Sequence, residues 1–575
     1  MFGNLKDQLD RSPFISFIRT EYRGESLRKT LIIAIISGLA NGLILLVINS
    51  VPEITEEQEG NFSQLLFFAA CITLFLVTKR HILFQASLII ESALKQVRVR
   101  ISNKLRFADL RTIETEGSSA IFSRLTQETN QISTAATVII NAMQSTVMLV
   151  FSLFYLLWLS PLAFVTIVVA IVLAAMVYEK KRKIILEALK VSNAKDLEFL
   201  GMVDGLLKGF KEIKVNRKKS NSLFSALKNI ATETTDQKVK AARTESVNFI
   251  FSQTFFYSLI GIILFVLPAV VDIGSNDLIK IIASILFIMG PVSAVIIVVP
   301  LISRVNIAIE NLRNLEGRFD AKIPPDIRDA INNDLPPVVD GPAVSFCNRL
   351  AVENLMFKFG ENGNGFELGP VSEFECRKGT ITFIEGGNGS GKSTFLKVLT
   401  GLYTPLDGKL LVDEQEIQSA DLPSFRELFS VVFTDFHLMN RLFGYEDTGK
   451  ALVDELLLKT ELNKKTGYSD GLFSNVNLST GQRKRLALVV SIIENKDVFI
   501  FDEVAADQDP EFKKYFYHSL LPQLKAQGKT VIAVTHDDNY FNCCDVKFKM
   551  RNGRFIDKCT YDNGELTGQV KFGLS

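Results

Sequence analysis

Long apolar runs, confined to roughly the first 310 residues, constrain this chain more than any other feature of its sequence. Six can be drawn at about the length of a bilayer span: Thr30–Ser50, Ser63–Ile90, Thr134–Trp158, Leu162–Val177, Val247–Val271 and Leu278–Val305. Inside hydrocarbon every backbone N–H and C=O must find a partner within the protein, so runs of this length dictate helices. The second run is interrupted by Lys79, Arg80 and His81, which predicts a helix that continues into water. The third and fourth are separated only by Leu159, Ser160 and Pro161, which predicts a tight turn. Gly290-Pro291 and Pro268 fall inside spans, either as hinges or as the Gly and Pro that membrane helices tolerate.

Orientation follows from the placement of Lys and Arg, which favour the cytoplasmic side. The segment before the first span carries Lys6, Arg11, Arg19, Arg23, Arg28 and Lys29. Ile101–Ser133 holds Lys104, Arg106, Arg111 and Arg124, and the stretch after the fourth span opens with Lys180-Lys181-Arg182-Lys183 and stays basic to Arg243. The loop Val51–Asn61 has Glu53, Glu56, Glu57 and Glu59 and no base. The three basic segments are therefore expected in the cytoplasm, with both termini inside and three short loops outside. Helices running far beyond the bilayer would fill the two long inner segments.

The average composition, 47% hydrophobic and 22% charged, conceals this split. A net charge of +1 argues against a nucleic-acid partner, which would call for a basic surplus. No cleavable signal peptide is visible, because the first run lacks a small-residue cleavage site. The six cysteines show no metal-ligand spacing, and the adjacent Cys543-Cys544 suit no easy disulfide, so all are expected to be reduced.

From Asp320 to Pro342 the chain turns polar, with Pro324-Pro325, Pro336-Pro337 and Pro342, and reads as an extended connector. The expected organisation is a helical membrane domain over residues 1–319, a linker over 320–345 and a soluble domain over 346–575. In the last, short β-like runs alternate with helical ones, predicting an α/β fold with a parallel sheet.

Gly386-Gly387-Asn388-Gly389-Ser390-Gly391-Lys392-Ser393-Thr394 satisfies G-x-x-x-x-G-K-[ST], after the strand-like Thr380–Ile384 and before the helical run Phe395–Leu402. Glycines let backbone N–H groups close around phosphates, and the following helix N-terminus adds a favourable dipole. Lys392 is placed to reach the β- and γ-phosphates of ATP, and Ser393 to ligate Mg²⁺. Val498-Phe499-Ile500-Phe501 ends in Asp502-Glu503. Such a strand presents its acidic pair beside the phosphate loop of a parallel sheet, Asp502 toward Mg²⁺ through water and Glu503 as the base for the attacking water.

Between these elements stands Leu478-Ser479-Thr480-Gly481-Gln482, followed by Arg483-Lys484-Arg485 and an apolar helix. Here the chain resembles the ABC ATPase family, whose signature is LSGGQ. The resemblance implies that Ser479, Thr480, Gly481 and Gln482 cap the γ-phosphate of ATP bound to the opposite ATPase domain. It also implies that Phe359 stacks on adenine, that Asp509 lies in the loop coupling two ATP sites, and that His536 contacts the γ-phosphate. Thr115-Glu116-Gly117, with Ser123-Arg124-Leu125, resembles the first coupling region of the exporter branch, and Leu207-Lys208-Gly209-Phe210-Lys211-Glu212 the second. The implied fold is a six-span helical membrane domain with an α/β phosphate-loop ATPase domain.

Three features depart from the general family pattern. Thr434, in Val432-Phe433-Thr434-Asp435-Phe436-His437, stands where the family usually has a Gln that ligates Mg²⁺ and the attacking water. Thr480 replaces the first signature glycine, and Ser469–Asn477 lacks the acidic–glycine motif that usually precedes the signature. Together VFTDFHL, LSTGQRKRLAL and DEVAADQDPEF resemble the bacterial exporters of cyclic peptides, lipopeptides and peptide siderophores, of the syringomycin, pyoverdine and microcin type. That resemblance implies ATP-driven export of a peptide-like or siderophore-like amphipathic solute across the cytoplasmic membrane; the alternatives are a lipid flippase, a multidrug exporter and an exporter-fold siderophore importer. Phe251, Phe255 and Phe256 with Asn141, Gln144 and Gln253 suit a cavity for such a solute, or lipid-facing positions equally. One phosphate loop and one signature make half of each site, so a homodimer is the expected unit. No peptidase-like domain precedes the first span, so leader-peptide cleavage by this chain is not expected.

Overall fold

The computed structural model describes residues 13–22, 26–56, 62–266, 269, 274–333, 335, 344–359 and 366–572. Lys6, Arg11, Arg23, Glu57, Glu59, Pro268, Pro336, Pro337 and Pro342 lie outside these residues, as do the side chains of Glu53, Glu56, Lys180–Lys183 and Phe255. The chain divides at Leu335 into two compact units, with Asp109–Arg111 grouping with the second.

Among the described residues of the first unit, a short helix α1 (Pro13–Glu21) precedes six long ones. These are α2 (Ser26–Glu56), α3 (Phe62–Phe107), α4 (Thr129–Leu159), α5 (Pro161–Lys208), α6 (Arg217–Phe265) and α7 (Ser275–Asp320). The 46 residues of α3 extend about 70 Å at ~1.5 Å per residue, more than twice the hydrocarbon core of a bilayer. Among the described residues, four helices carry a full apolar span: α2, α3, α4 and α7. The apolar runs of the sequence predict six. The other two fall on α5 and α6, whose apolar stretches cover Pro161–Leu173 and Phe256–Phe265. Residues that would complete them, such as Val270 and Val271, lie outside those described.

Local chemistry sets the joints. Ser160 is extended and its Oγ accepts from Ala163 N at 3.4 Å, while Pro161 takes the first helical position, where its missing N–H costs nothing. Helix α7 continues through Pro291 and Pro300, so Gly290-Pro291 does not end it. Gly38 and Gly42 let α2 approach α4 closely; a Cβ on Gly38 would lie 2.7 Å from Val147 Cβ, and one on Gly42 would collide with the Phe151 ring. Gln144 Nε2 donates to Ser37 Oγ at 2.8 Å and Asn49 Nδ2 to Ser284 Oγ at 3.1 Å, tying α2 to α4 and to α7.

At one end of this unit α1, α3 and α7 meet in an ionic cluster. Arg100 pairs with Glu21 at 2.6 Å and Glu316 at 2.5 Å; Lys104, 1% exposed, pairs with Glu316 at 2.8 Å and Asp320 at 2.7 Å. Nearby in sequence, in the segment expected to form the first coupling region, the Glu116 side chain is 7% exposed and lies beside Arg124 at 3.3 Å and Arg318. In the segment expected to form the second coupling region, α5 stops at Lys208, Gly209 intervenes, and a short helix Phe210–Val215 follows.

The second unit holds two principal sheets. The smaller contains β1 (Arg349–Lys358), β2 (Glu367–Arg377), β4 (Asp407–Val412) and β5 (Gln415–Glu416), antiparallel in the order β2-β1-β4-β5. The larger contains β3 (Ile381–Gly386), β6 (Phe429–Val432), β7 (Val498–Asp502), β8 (Thr530–Val534), β9 (Val546–Arg551), β10 (Arg554–Asp562) and β11 (Glu565–Lys571). Its order is β11-β10-β9-β3-β8-β7-β6, with parallel pairing from β9 to β6 and antiparallel pairing at the β10–β11 edge. Both faces of the parallel part are covered, which is why its strands read as unbroken apolar runs. Val498 and Ile500 face one core with Ile384, Phe395 and Ile532. Phe499 and Phe501 face the other with Phe383, Phe512 and Tyr517. Register pairs Val534 with both Ile384 and Asp502, so β7 and β8 end level while β3 runs on to Gly386.

Candidate active site

Three strand ends gather the chemistry, as parallel sheets do at their carboxyl ends. After β3, Gly386–Gly391 wraps into helix α8 (Lys392–Leu399), with Gly389 and Gly391 at φ +76° and +105°. These left-handed positions admit glycine at little cost. A Cβ on Gly386 would lie 2.5 Å from Met550 O and 2.7 Å from Ser390 Oγ, and one on Gly391 would lie 2.7 Å from Phe366 Cζ. Lys392, 5% exposed, curls back so that Nζ donates to Gly386 O at 2.8 Å and Gly387 O at 3.1 Å. Its ammonium also lies 3.7 Å from Glu503 Oε1.

Asp502 ends β7 almost fully buried. Its Oδ2 accepts from Thr434 Oγ1 at 3.4 Å, and the carboxylate takes a further hydrogen bond from Ser393. Burial pushes this carboxyl above its ordinary range; Ser393 opposes that shift and the neighbouring charge of Glu503 adds to it. Asp502 Oδ1 and Ser390 Oγ are buried with no hydrogen-bond partner among the described residues. A carboxyl with one oxygen free of donors, on a group that also meets the Ser393 and Thr434 hydroxyls, is a donor set suited to a hard divalent cation such as Mg²⁺. The side chain at 434 therefore folds onto Asp502, where a longer amide would reach past it.

Glu503 sits at φ +53°, a strained conformation for a side-chain-bearing residue. Its N–H donates to Val534 O at 3.2 Å, and its Oε1 lies 3.1 Å from His536 Nε2, just past β8. The phosphate loop, Thr434, Asp502, Glu503 and His536 are thus brought together, with Asn388 and Thr394 carried on the same loop and helix. Phe359 follows β1 half-buried, edge-on to Phe357 (5.2 Å between centroids) and to Tyr403 (5.5 Å).

The signature lies elsewhere in this unit. Ser479 caps helix α9 (Thr480–Glu494) in a capping box: its Oγ accepts from Gln482 N at 3.4 Å and its N donates to Gln482 Oε1 at 3.2 Å. Gly481 O accepts from Gln508 Nε2 at 3.0 Å. Among the described residues, Ser479–Gln482 make no hydrogen bond to the phosphate loop. Asp509 caps the helix Pro510–Tyr515 by accepting from Phe512 N at 2.9 Å, and pairs with Arg485. The hydrogen bond from Phe512, with the Arg485 charge, holds the Asp509 carboxyl below its usual range although burial opposes it.

Sequence reasoning missed three residues of this framework. Phe366 lies against Gly391, Gln508 holds the signature, and Lys484 Nζ donates to Glu503 O at 2.9 Å and Asp507 Oδ2 at 2.7 Å. In the sequence Lys484 is the middle member of the basic run Arg483-Lys484-Arg485, and nothing in that run separates a buried cation from exposed ones.

The sequence profile of the ABC transporter family matches residues 371–506. The energy-coupling factor transporter ATP-binding protein EcfA1 of Mycoplasma mobile is 30% identical over 36% of this chain and 78% of its own length. The chain belongs to the ABC transporter family. The ATP-binding protein SyrD of Pseudomonas syringae pv. syringae is 29% identical over 93% of this chain and 94% of its own. The ATP-dependent lipid A-core flippase of Pseudomonas aeruginosa is 24% identical over 82% and 77%. A bacterial Atm1-family ABC exporter solved with ATP bound superposes with a TM-score of 0.75 at 17% identity, over 92% of this chain and 96% of that one. This ABC transporter therefore has the exporter fold, binds nucleotide, and couples ATP hydrolysis to transport across a membrane.

Proposed function

We propose that the transporter exports a peptide-like or siderophore-like amphipathic solute across the cytoplasmic membrane, as a homodimer with ATPase domains and termini on the cytoplasmic side. The observation that carries this reading is the run of three branch motifs, VFTDFHL, LSTGQRKRLAL and DEVAADQDPEF, in a chain similar to SyrD over nearly its full length. A lipid substrate is the second reading, favoured by the similarity to the lipid A-core flippase.

The residues divide the work as follows. Phe359 offers its exposed face to adenine. Amides of Gly386–Gly391 and the N-terminus of α8 hold the phosphates, and Lys392 exchanges its carbonyl partners for phosphate oxygens. Ser393, Asp502 and Thr434 would hold Mg²⁺, which when bound neutralises phosphate charge. Glu503 removes a proton from the attacking water, and His536 both orients Glu503 and faces the γ-phosphate. Ser479–Gln482 of the second copy complete the site from the other side. Binding of two ATP molecules then closes the dimer, and hydrolysis reopens it.

ATPase turnover in lipid nanodiscs, titrated with cyclic peptides, siderophores and lipids, tests the substrate class. Stimulation by a peptide or siderophore is the expected outcome. Stimulation by lipid alone would replace this reading with the flippase, and uptake into right-side-out vesicles would reverse the direction.

A further inference from the structure

The interior face of α9 is apolar, with Leu486, Leu488 and Val489 fully buried, yet Lys484 shares that burial at 6% exposure. A buried ammonium is costly unless its protons are taken up. Here they go to one carboxylate, Asp507, whose side chain is 56% exposed, and to a neutral carbonyl oxygen, that of Glu503. Stability alone would be served by a leucine at 484. What the lysine adds is a grip on one particular peptide group.

That peptide belongs to the residue with the strained backbone. Glu503 is held at φ +53° by three hydrogen bonds: its N–H to Val534 O, and its carbonyl oxygen accepting both from Lys484 Nζ at 2.9 Å and from Ala506 N at 3.3 Å. A left-handed glutamate persists only when its surroundings over-determine it. Of the three donors and acceptors, Lys484 is the one carried by a side chain, and it reaches across from the signature helix.

We propose that Lys484 is a positioning residue for hydrolysis: by fixing the Glu503 carbonyl it aims the Glu503 carboxylate at the attacking water, and it makes that aim depend on the placement of the signature helix. The inference rests on the reading of Glu503 as the base. Gln508, bonded to Gly481 O, and Arg485, paired with Asp509, hold the adjoining loop to the same helix. The helix that meets one nucleotide is thereby tied to the base that activates water at the other.

The test is steady-state ATPase kinetics of the full-length transporter in nanodiscs, with Mg-ATP binding and thermal unfolding measured on the same samples. Lys484→Met is expected to lower kcat at least about tenfold, because small misplacements of a catalytic group are that costly. KM and nucleotide affinity should stay within about twofold, since Lys484 does not touch the phosphate loop. Lys484→Arg, which keeps the charge and the reach, should recover most of kcat. A wild-type kcat in Lys484→Met overturns the proposal. So does a fall in kcat matched by a fall in unfolding temperature, if Lys484→Arg restores the temperature and leaves kcat low. Glu503→Gln run in parallel separates the two claims. Normal turnover there removes the base assignment, whereas lost turnover there with wild-type kcat in Lys484→Met removes the positioning role alone.

Discussion

Two buried charge clusters, one in each unit, solve the same problem in opposite ways. In the membrane unit Arg100 and Lys104 meet Glu21, Glu316 and Asp320, and every acid lies within 2.8 Å of a base. In the ATPase unit Lys392 spends its protons on two backbone carbonyls, and Asp502 keeps one buried oxygen without a hydrogen-bond partner among the described residues. Glu503, 3.7 Å from Lys392, is held in a strained backbone. Breaking a closed network of buried charges leaves an uncompensated ion, so its members serve structure. An open cluster bears a standing cost that only a ligand of complementary charge relieves, so its members serve chemistry.

The contrast yields substitutions with opposite signs. The largest effect is expected at Glu503: Glu503→Gln should lower ATP turnover about a thousandfold while leaving ATP binding intact, read by single-turnover hydrolysis beside equilibrium binding. Lys104→Met should destabilise the membrane unit by about 3 kcal/mol, because Glu316 and Asp320 lose their shared cation; detergent unfolding curves would show it. Asp502→Asn should do the reverse. Its folded carboxyl titrates above the unfolded one, so ionisation opposes folding at neutral pH and ceases to do so below the ordinary carboxylate range. The asparagine variant should therefore gain about 1 kcal/mol without Mg²⁺ at neutral pH, lose that gain on acidification, and lose magnesium-dependent turnover. The smallest change is expected from Thr434→Gln, where a side chain long enough to reach past Asp502 should raise turnover by about threefold.

The two clusters also differed in how far the sequence revealed them. The phosphate loop was legible because its glycines, lysine and serine are contiguous, and its backbone geometry follows from their spacing. Asp502-Glu503 could be placed because an apolar run ending in acids dictates a strand end beside that loop. By contrast, Arg100 and Glu316 are 216 residues apart, and nothing local marks them as partners. Lys484 escaped for a related reason: its role depends on which side of α9 faces β7, a matter of packing between elements. The span count was blurred where α5 and α6 run from apolar to charged without a break, since one continuous helix has no boundary to read. Asp509 was assigned by family resemblance, and its immediate bonds, to Phe512 and Arg485, lie within its own chain.

The central claim, that each ATP site is built from the phosphate loop of one copy and the signature of another, is tested most directly by mixing two inactive chains. Lys392→Ala removes the loop cation. Thr480→Glu sets a carboxylate at the first turn of α9, where it favours the helix dipole but repels a phosphate. Each variant alone should be inactive. Co-expressed and purified through two tags, the mixed dimer contains one intact composite site and should regain turnover well above either parent. Mixed dimers that form but remain as inactive as their parents, or a Thr480→Glu chain that hydrolyses ATP normally by itself, would contradict the account.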